Sequence, residues 1–440
     1  NTGTVSLGGG TTSVVLFDGG VATTTGPSAT TVAATVRTSG DQVDFETLTV
    51  AADSEVDTTN DGGNATGANM NFTEILDDSA GRALTLDAGT NGNIVVTDNV
   101  GVNGGDTLAS LTVETATDVH LSGAAATVDV DQLTIGSTAA IGADTEFDAE
   151  VNVGGTTDVL SAGLLDIATD FTATGTATLQ SGDITIAGGT TTAPTLRLYT
   201  EAGTTPMNIG TGGAAGNYEL DDTEIGRLST TGINDLVWGE SGTQSGAITV
   251  QTVTLPAAVT TLTVSSDGAG GNVVLDDEGG SAALDGDGAN LDLSAASSGI
   301  TSAQGTNDIE ELTSAGGTIS LDTTAEAGGP VGSAANRIVF AGAQSGVSIA
   351  TDGGDVFVGG IENATGVEYT SIDTFTGVNA ANAGVVNVEN RNTAGPWTPT
   401  RLGGNVDTSS TGNGGSQTFA DPIVLTADTS LLSAGGGGQT

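Results

Sequence analysis

The chain has 440 residues, 70 of them glycine, no cysteine, and 54 acidic residues against seven basic ones, for a formal net charge of −47. That composition excludes disulfides and zinc–thiolate sites. It also excludes nucleic acid as a partner, because neutralising phosphates takes Lys and Arg, and repulsion from anionic lipid follows from the same balance. Apolar residues make up 36% and aromatics 3%, so the core is expected to be aliphatic, long and thin rather than large and round.

Helical signals are scarce, because Gly, Thr, Asn and Asp recur too often for a long amphipathic helix. Strand signals run the whole length as short alternating segments bounded by Gly, Asn or Asp. In chain order they include "TVSLGGG" (4–10), "SVVLFDGG" (13–20), "ALTLDAG" (83–89), "NIVVTDNVG" (93–101), "LTVETATDVHLSG" (111–123), "ATVDVDQLTIG" (126–136), "TEFDAEVNVGG" (145–155), "DITIAGG" (183–189), "NVVLDDEGG" (272–280), "TISLDTT" (318–324), "RIVFAG" (337–342), "DVFVGG" (355–360) and "GVVNVEN" (384–390). Alternation of this kind buries one face of a strand and leaves the other wet.

The segments are nearly interchangeable. "L-T" followed by an aliphatic residue recurs at Leu48, Leu84, Leu111, Leu133 and Leu262. "LTVAADSEV" (48–56) is nearly repeated as "IVLTADTSL" (423–431). The spacing is irregular but falls in the range of solenoid coils. The predicted fold is all-β, a parallel β-solenoid (β-helix) of irregular coils of about 20–25 residues, rod-like and about 90 Å long at ~4.8 Å per coil. Gly, Asn and Asp supply the corners. The alternative is a string of β-sandwich (Ig-like) domains, which the scarcity of Trp, Tyr and Pro disfavours.

The predicted organisation is β-solenoid over 1–199, a less repetitive insertion or loop over 200–242, and β-solenoid again over 243–391. A linker-like stretch over 392–417 follows, with the start of a further repeat at 418–440. No apolar stretch approaches the ~18 residues of a membrane span, so no membrane insertion is expected within this segment. The chain opens on Asn1 without a signal-peptide pattern, and is expected to be a processed or partial chain.

"GSQTFADPIVLTADTSLLSAGGG" (415–437) resembles the repeat of large bacterial secreted β-helix proteins, the filamentous-haemagglutinin-like and autotransporter-like adhesins. Gly415, Gln417, Phe419, Val424, Leu425, Ala427, Asp428 and Leu431 fit that repeat. "GDQVDFETLTVAADSEV" (40–56) is a looser copy, with Gly40, Gln42 and Phe45. The absence of lysine and the high acidity depart from the family and lean towards a surface layer or matrix polymer. The resemblance implies an extracellular, cell-surface location and one segment of a larger array.

Candidate sites are few. "LDGDGANLDL" (284–293) places Asp285, Asp287, Asn290 and Asp292 around two glycines. It resembles the start of an oxygen-ligand Ca²⁺ loop but lacks the closing bidentate Glu; the competing reading is a β-turn with solvated acids. Ca²⁺ is also the cofactor that the acidity suggests, since carboxylates ~4.8 Å apart on neighbouring strands repel by roughly 0.9 kcal/mol in water. The one histidine, His120, alternates within "DVHLSG" and is expected on a strand surface. The acid pairs Asp221–Asp222 and Asp276–Asp277 offer an acid and a base in principle, but with one histidine and no cysteine an enzyme is not expected. Sequons stand at Asn64, Asn71 and Asn363. The expected function is structural: a segment of a cell-surface filament, adhesin or surface layer that self-associates end to end or laterally. A stalk that binds glycans or other surface proteins is the alternative, and a polysaccharide-degrading β-helix enzyme comes last.

Overall fold

The computed structural model describes residues 4–23, 29–78, 81–101, 107–123, 125–210, 218–229, 231–276, 282–303, 310–314, 317–325, 329–334, 336–341, 346–351, 354–360, 368–373, 386–388, 400–402, 406–407, 416–419 and 423–432. The fold is nearly all β, with long parallel sheets, and is a parallel β-solenoid. The chain divides into two compact units, residues 1–201 with 227–232, and residues 202–226 with 233–440.

In the first unit the strands stack in three parallel ladders. One runs through Thr4–Leu7, Ala29–Val32, Val43–Val50, Met70–Asp77, Ile94–Val96, Val119–Leu121, Thr145–Phe147, Leu164–Ile167 and Asp183–Ile186. A second joins Ser54–Asp57, Ala83–Asp87, Ser110–Val113, Leu133–Ile135, Thr157–Leu160, Thr176–Ser181 and Thr195–Thr200. The third holds Thr127–Val130, Glu150–Val153, Phe171–Ala173 and Thr191–Thr192. One coil advances the register by as little as the step from Thr30 to Leu48 or as much as that from Ser54 to Leu84. Insertions at the corners absorb the difference.

The recurrent leucines show that only part of their uneven spacing is true variation in coil length. Leu84, Leu111 and Leu133 occupy successive rungs of one ladder. Leu48 lies on a different face, between Thr30 and Ile75. Counting from Leu48 to Leu84 therefore mixes two faces. Where Leu133–Ile135 turns out of its ladder, Gly136 takes φ +78°, and a Cβ there would collide with the Leu160 carbonyl of the next coil; only glycine fits comfortably.

The second unit repeats the scheme. One ladder runs through Asp235–Trp238, Thr261–Ser266, Asn290–Ala295, Thr318–Thr323, Gly346–Thr351 and Glu368–Asp373, then through Thr400–Leu402 and Val406–Asp407 to Ile423–Leu425 and Leu431–Leu432. Much of the stretch 200–242 is itself ladder. Met207–Gly210 pairs with Ile248–Gln251, and Asp235–Trp238 with Thr261–Ser266. Tyr218 and Trp238 are fully buried. A short helix, Asp222–Ile225, is closed by a capping box in which Glu224 N–H donates to Asp221 and the Glu224 carboxylate accepts from Asp221 N–H. Most of the predicted linker 392–417 lies outside the described residues; Thr400–Leu402 and Val406–Asp407 within it are strands.

The core is aliphatic, as the composition required. Leu84, Leu111, Leu133, Ile94, Val119 and Leu165 are at most 1% exposed, and each such side chain contributes about 1.5–3 kcal/mol by leaving water. Phenylalanines meet in pairs within the interior, at 6.1 Å between ring centroids: Phe45 with Phe72 on successive rungs of one ladder, and Phe147 with Phe171 between two ladders.

Many acids and amides hold coil to coil. Asp118 Oδ1 accepts Asp144 N–H at 3.2 Å, and Asp144 Oδ1 accepts Leu164 N–H at 2.8 Å. Asp53 accepts from Ala83, Asn69 from Asn93, Asn99 from Thr127 and Asp170 from Thr190 in the same manner. In the second unit Asn290 accepts from Thr318, and Asp267 from Gly242. Each side chain stands in for a carbonyl where the ladder breaks at a corner, satisfying a backbone donor that would otherwise depend on water.

Candidate functional site

One cluster among the described residues brings three ligand-type side chains together: His120, Glu146 and Asp148, whose ligand atoms all lie within 4.8 Å of one another. The local sequence dictates this. In Val119–Leu121 the flanking residues are buried and His120 faces outward. Thr145–Phe147 repeats the pattern with Glu146 outward. The register sets Val119 against Thr145, His120 against Glu146 and Leu121 against Phe147. Asp148 N–H donates to Leu121 O at 2.9 Å, which holds the start of the next bend beside the histidine.

His120 Nε2 lies 2.8 Å from Asp148 Oδ2 and 3.5 Å from Glu146 Oε2. All three side chains are partly exposed, at 33, 43 and 46% for His120, Glu146 and Asp148. The next rung carries Asp166, opposite Glu146. Asp166 Oδ1 is shut off from solvent and has no hydrogen-bond partner. Burial, and then the charge of Asp148, push the Asp166 carboxyl above its ordinary range. On the other side the column continues through Val95 to Asn71, whose side-chain N–H donates to Asp44 at 2.6 Å. Chemically, the trio can act as an ion pair when the imidazole is protonated, or as one nitrogen and two oxygen ligands when it is neutral.

A second charged cluster is architectural. Arg37 lies 3.3 Å from the buried Asp57, 3.4 Å from Asp61 and 4.0 Å from Glu55. Asp57 accepts the N–H groups of Thr59 and Asp61, fixing a turn in which Asn60 and Asp61 both have positive φ. Burial raises the Glu55 carboxyl, and Arg37 partly offsets it. Burial, then Asp87, raises Glu114; burial, then Asp131 and Glu150, raises Asp129.

Asp285 accepts Asp287 N–H at 3.0 Å, and Asp287 sits at φ +45° in the turn. Asn290 Oδ1 accepts both the N–H and the hydroxyl of Thr318, at 3.0 and 2.9 Å. Asp292 faces out between Thr263 and Ser320, its carboxyl raised by burial. Asp285 Oδ1 thus helps to hold the turn, and Asn290 Oδ1 the next coil. Of the acid pairs, Asp221 is the helix cap, Asp276 accepts from Gln251 at 3.0 Å, and Asp277 lies outside the described residues. Asn64 donates to Ser39 O at 3.2 Å; Asn363 lies outside the described residues.

His120 was legible as an outward strand residue, but its partners were not. The missing signal is a register of 26 residues: laid on one another, "DVHLS" (118–122) and "DTEFD" (144–148) align His120 with Glu146 and put Asp148 one place beyond Phe147.

Stacked parallel ladders with aliphatic interiors and Asp/Asn acceptors at the corners define the class, a parallel β-solenoid protein. Beyond that class, comparison with known proteins finds no matching family model, no matching curated protein and no matching solved structure.

Proposed function

We propose that the chain is a structural β-solenoid segment of an extracellular, cell-surface assembly, a filament, adhesin or surface layer, that self-associates. The observation that carries this reading is the use made of the polar side chains. From Asp53 to Asn290 they accept backbone N–H groups of a neighbouring coil. Chemistry-bearing residues are thus spent on continuity of the ladder. The resemblance of 415–437 to secreted β-helix adhesins supports the same reading.

A surface suited to self-association accompanies it. Ile423, Val424, Leu425, Leu431 and Leu432 are 38–60% exposed. Leu425 and Leu431 stand in register with the buried Leu402 and Val406. Among the described residues Ile423–Leu425 and Leu431–Leu432 are paired on one side only, and an apolar strand edge favours pairing with another strand, of the same chain or of a second copy. Dense carboxylates make that pairing sensitive to counterions, and Ca²⁺ is the cation suited to bridging them. Negative-stain electron microscopy with and without millimolar Ca²⁺ tests the proposal. Ordered filaments or sheets are expected, and their loss on chelation assigns the bridging to the acids. Monodisperse particles at every concentration and in both conditions refute self-association.

A further inference from the structure

We propose that His120, Glu146 and Asp148 bind one transition-metal dication of the zinc class, joining two successive coils of the first unit. A ring nitrogen carries at most one proton and donates one hydrogen bond well. Here two carboxylate oxygens converge on the same Nε2, at 2.8 and 3.5 Å. A proton on Nε2 serves Asp148 and leaves Glu146 over; a dication serves all three. Ligand atoms bound at about 2.0–2.2 Å in tetrahedral array lie about 3.4 Å apart, so the present spacing needs only small side-chain adjustment.

The support is rigid where a site needs it. His120 and Glu146 stand on paired strands whose flanking residues, Val119, Leu121 and Phe147, are at most 1% exposed. Asp118 and Asp144 link the backbones of that coil and the next just before these strands. Loops contribute none of the first two ligands, which favours preorganisation. Independently, the rung beyond Glu146 carries the Asp166 Oδ1, a solvent-shielded acceptor with no donor. Such an oxygen, next to the two other carboxylates, fits a place where positive charge is supplied from outside the chain. The imidazole sets the metal class: Ca²⁺ takes six to eight oxygens, whereas imidazole with carboxylates suits Zn²⁺, Co²⁺ or Ni²⁺.

The chain has one histidine, so its imidazole ¹H–¹⁵N signals report this site alone. The experiment titrates the full chain with Zn²⁺ in excess Ca²⁺, which occupies the non-specific carboxylates. The expected result is saturation of the imidazole signals at one equivalent, with zinc affinity measured in parallel by chelator competition. His120→Gln, Glu146→Gln and Asp148→Asn, all outward-facing, are expected to weaken that affinity by more than the ~10–100-fold that loss of an outer-shell partner costs. An imidazole that titrates with pH but ignores Zn²⁺ overturns the proposal with no variant needed. So does a His120→Gln chain that retains parental affinity, since the zinc would then sit on carboxylates alone.

Discussion

Residues 48–56 and 423–431 carry nearly the same nine-residue pattern, and their apolar side chains meet opposite fates. Leu48, Val50 and Val56 are fully buried, while Ile423, Leu425 and Leu431 are 38, 60 and 49% exposed. The strand pattern alone does not separate them. Leu48 lies between Thr30 and Ile75, on rungs before and after it. Among the described residues, Leu425 stands in register with Leu402 of the preceding coil. Alternation selects which side chains face the interior, and the neighbouring coils decide whether that interior is dry. This is the nearest-neighbour logic of a repeat protein.

Truncating a leucine should separate the two copies most strongly. Leu48→Ala is expected to destabilise by about 2–5 kcal/mol, the range for emptying a packed core position. Leu425→Ala should stay within about 1 kcal/mol, because a half-exposed side chain leaves little cavity. Urea unfolding measures both, and equal losses would mean that the Leu425 rung is packed in solution. A smaller contrast concerns the aspartates of the two copies. Asp53→Ala removes the acceptor of Ala83 N–H and should cost about 0.5–1.5 kcal/mol. Asp428→Ala should fall within about 0.5 kcal/mol, as surface changes usually do.

The smallest effect is in pH. Glu55, beside Val56 of the first copy, has a carboxyl raised by burial despite Arg37, and Glu114 and Asp129 are raised likewise. A carboxyl raised in the folded state holds its proton more tightly there than in the unfolded chain. Protonation therefore stabilises, and stability should increase as pH falls from neutral through the raised values, levelling below the ordinary carboxylate range. Ser430 occupies the place of Glu55 in the second copy, so that position carries no carboxyl there. Glu55→Gln should flatten the pH dependence of the thermal midpoint; an unchanged profile would assign it to other acids.

These contrasts mark what the sequence shows and what it hides. Alternation in segments such as "DVHLSG" and "TEFDAE" reveals strands and the inward residues Val119, Leu121 and Phe147, because a period of two is local. The coil length is not local: it changes wherever a corner gains residues, as between Ser54 and Leu84. Without the register, Leu48 and Leu84 look like one ladder, and His120 cannot be matched to Glu146. The same limit applies to 200–242, where Trp238 and Tyr218 are unlike the repeat in sequence yet are fully buried. The acids and amide of 284–293 stand out by their spacing along the chain, whereas Asn290 is engaged by Thr318 across it.

The corner aspartates also bear on how such a chain reaches its fold. Asp118 accepts an amide of the coil that follows, and Asp144 in that coil accepts an amide of the one after. Each newly added coil thus completes polar groups left open by the one before. The loop closed at every step is one coil, so its entropy is set by coil length and hardly by the number of coils already in place. Adding residues to the array lengthens the folding process without making any single step harder, a zipper whose teeth are carboxylates.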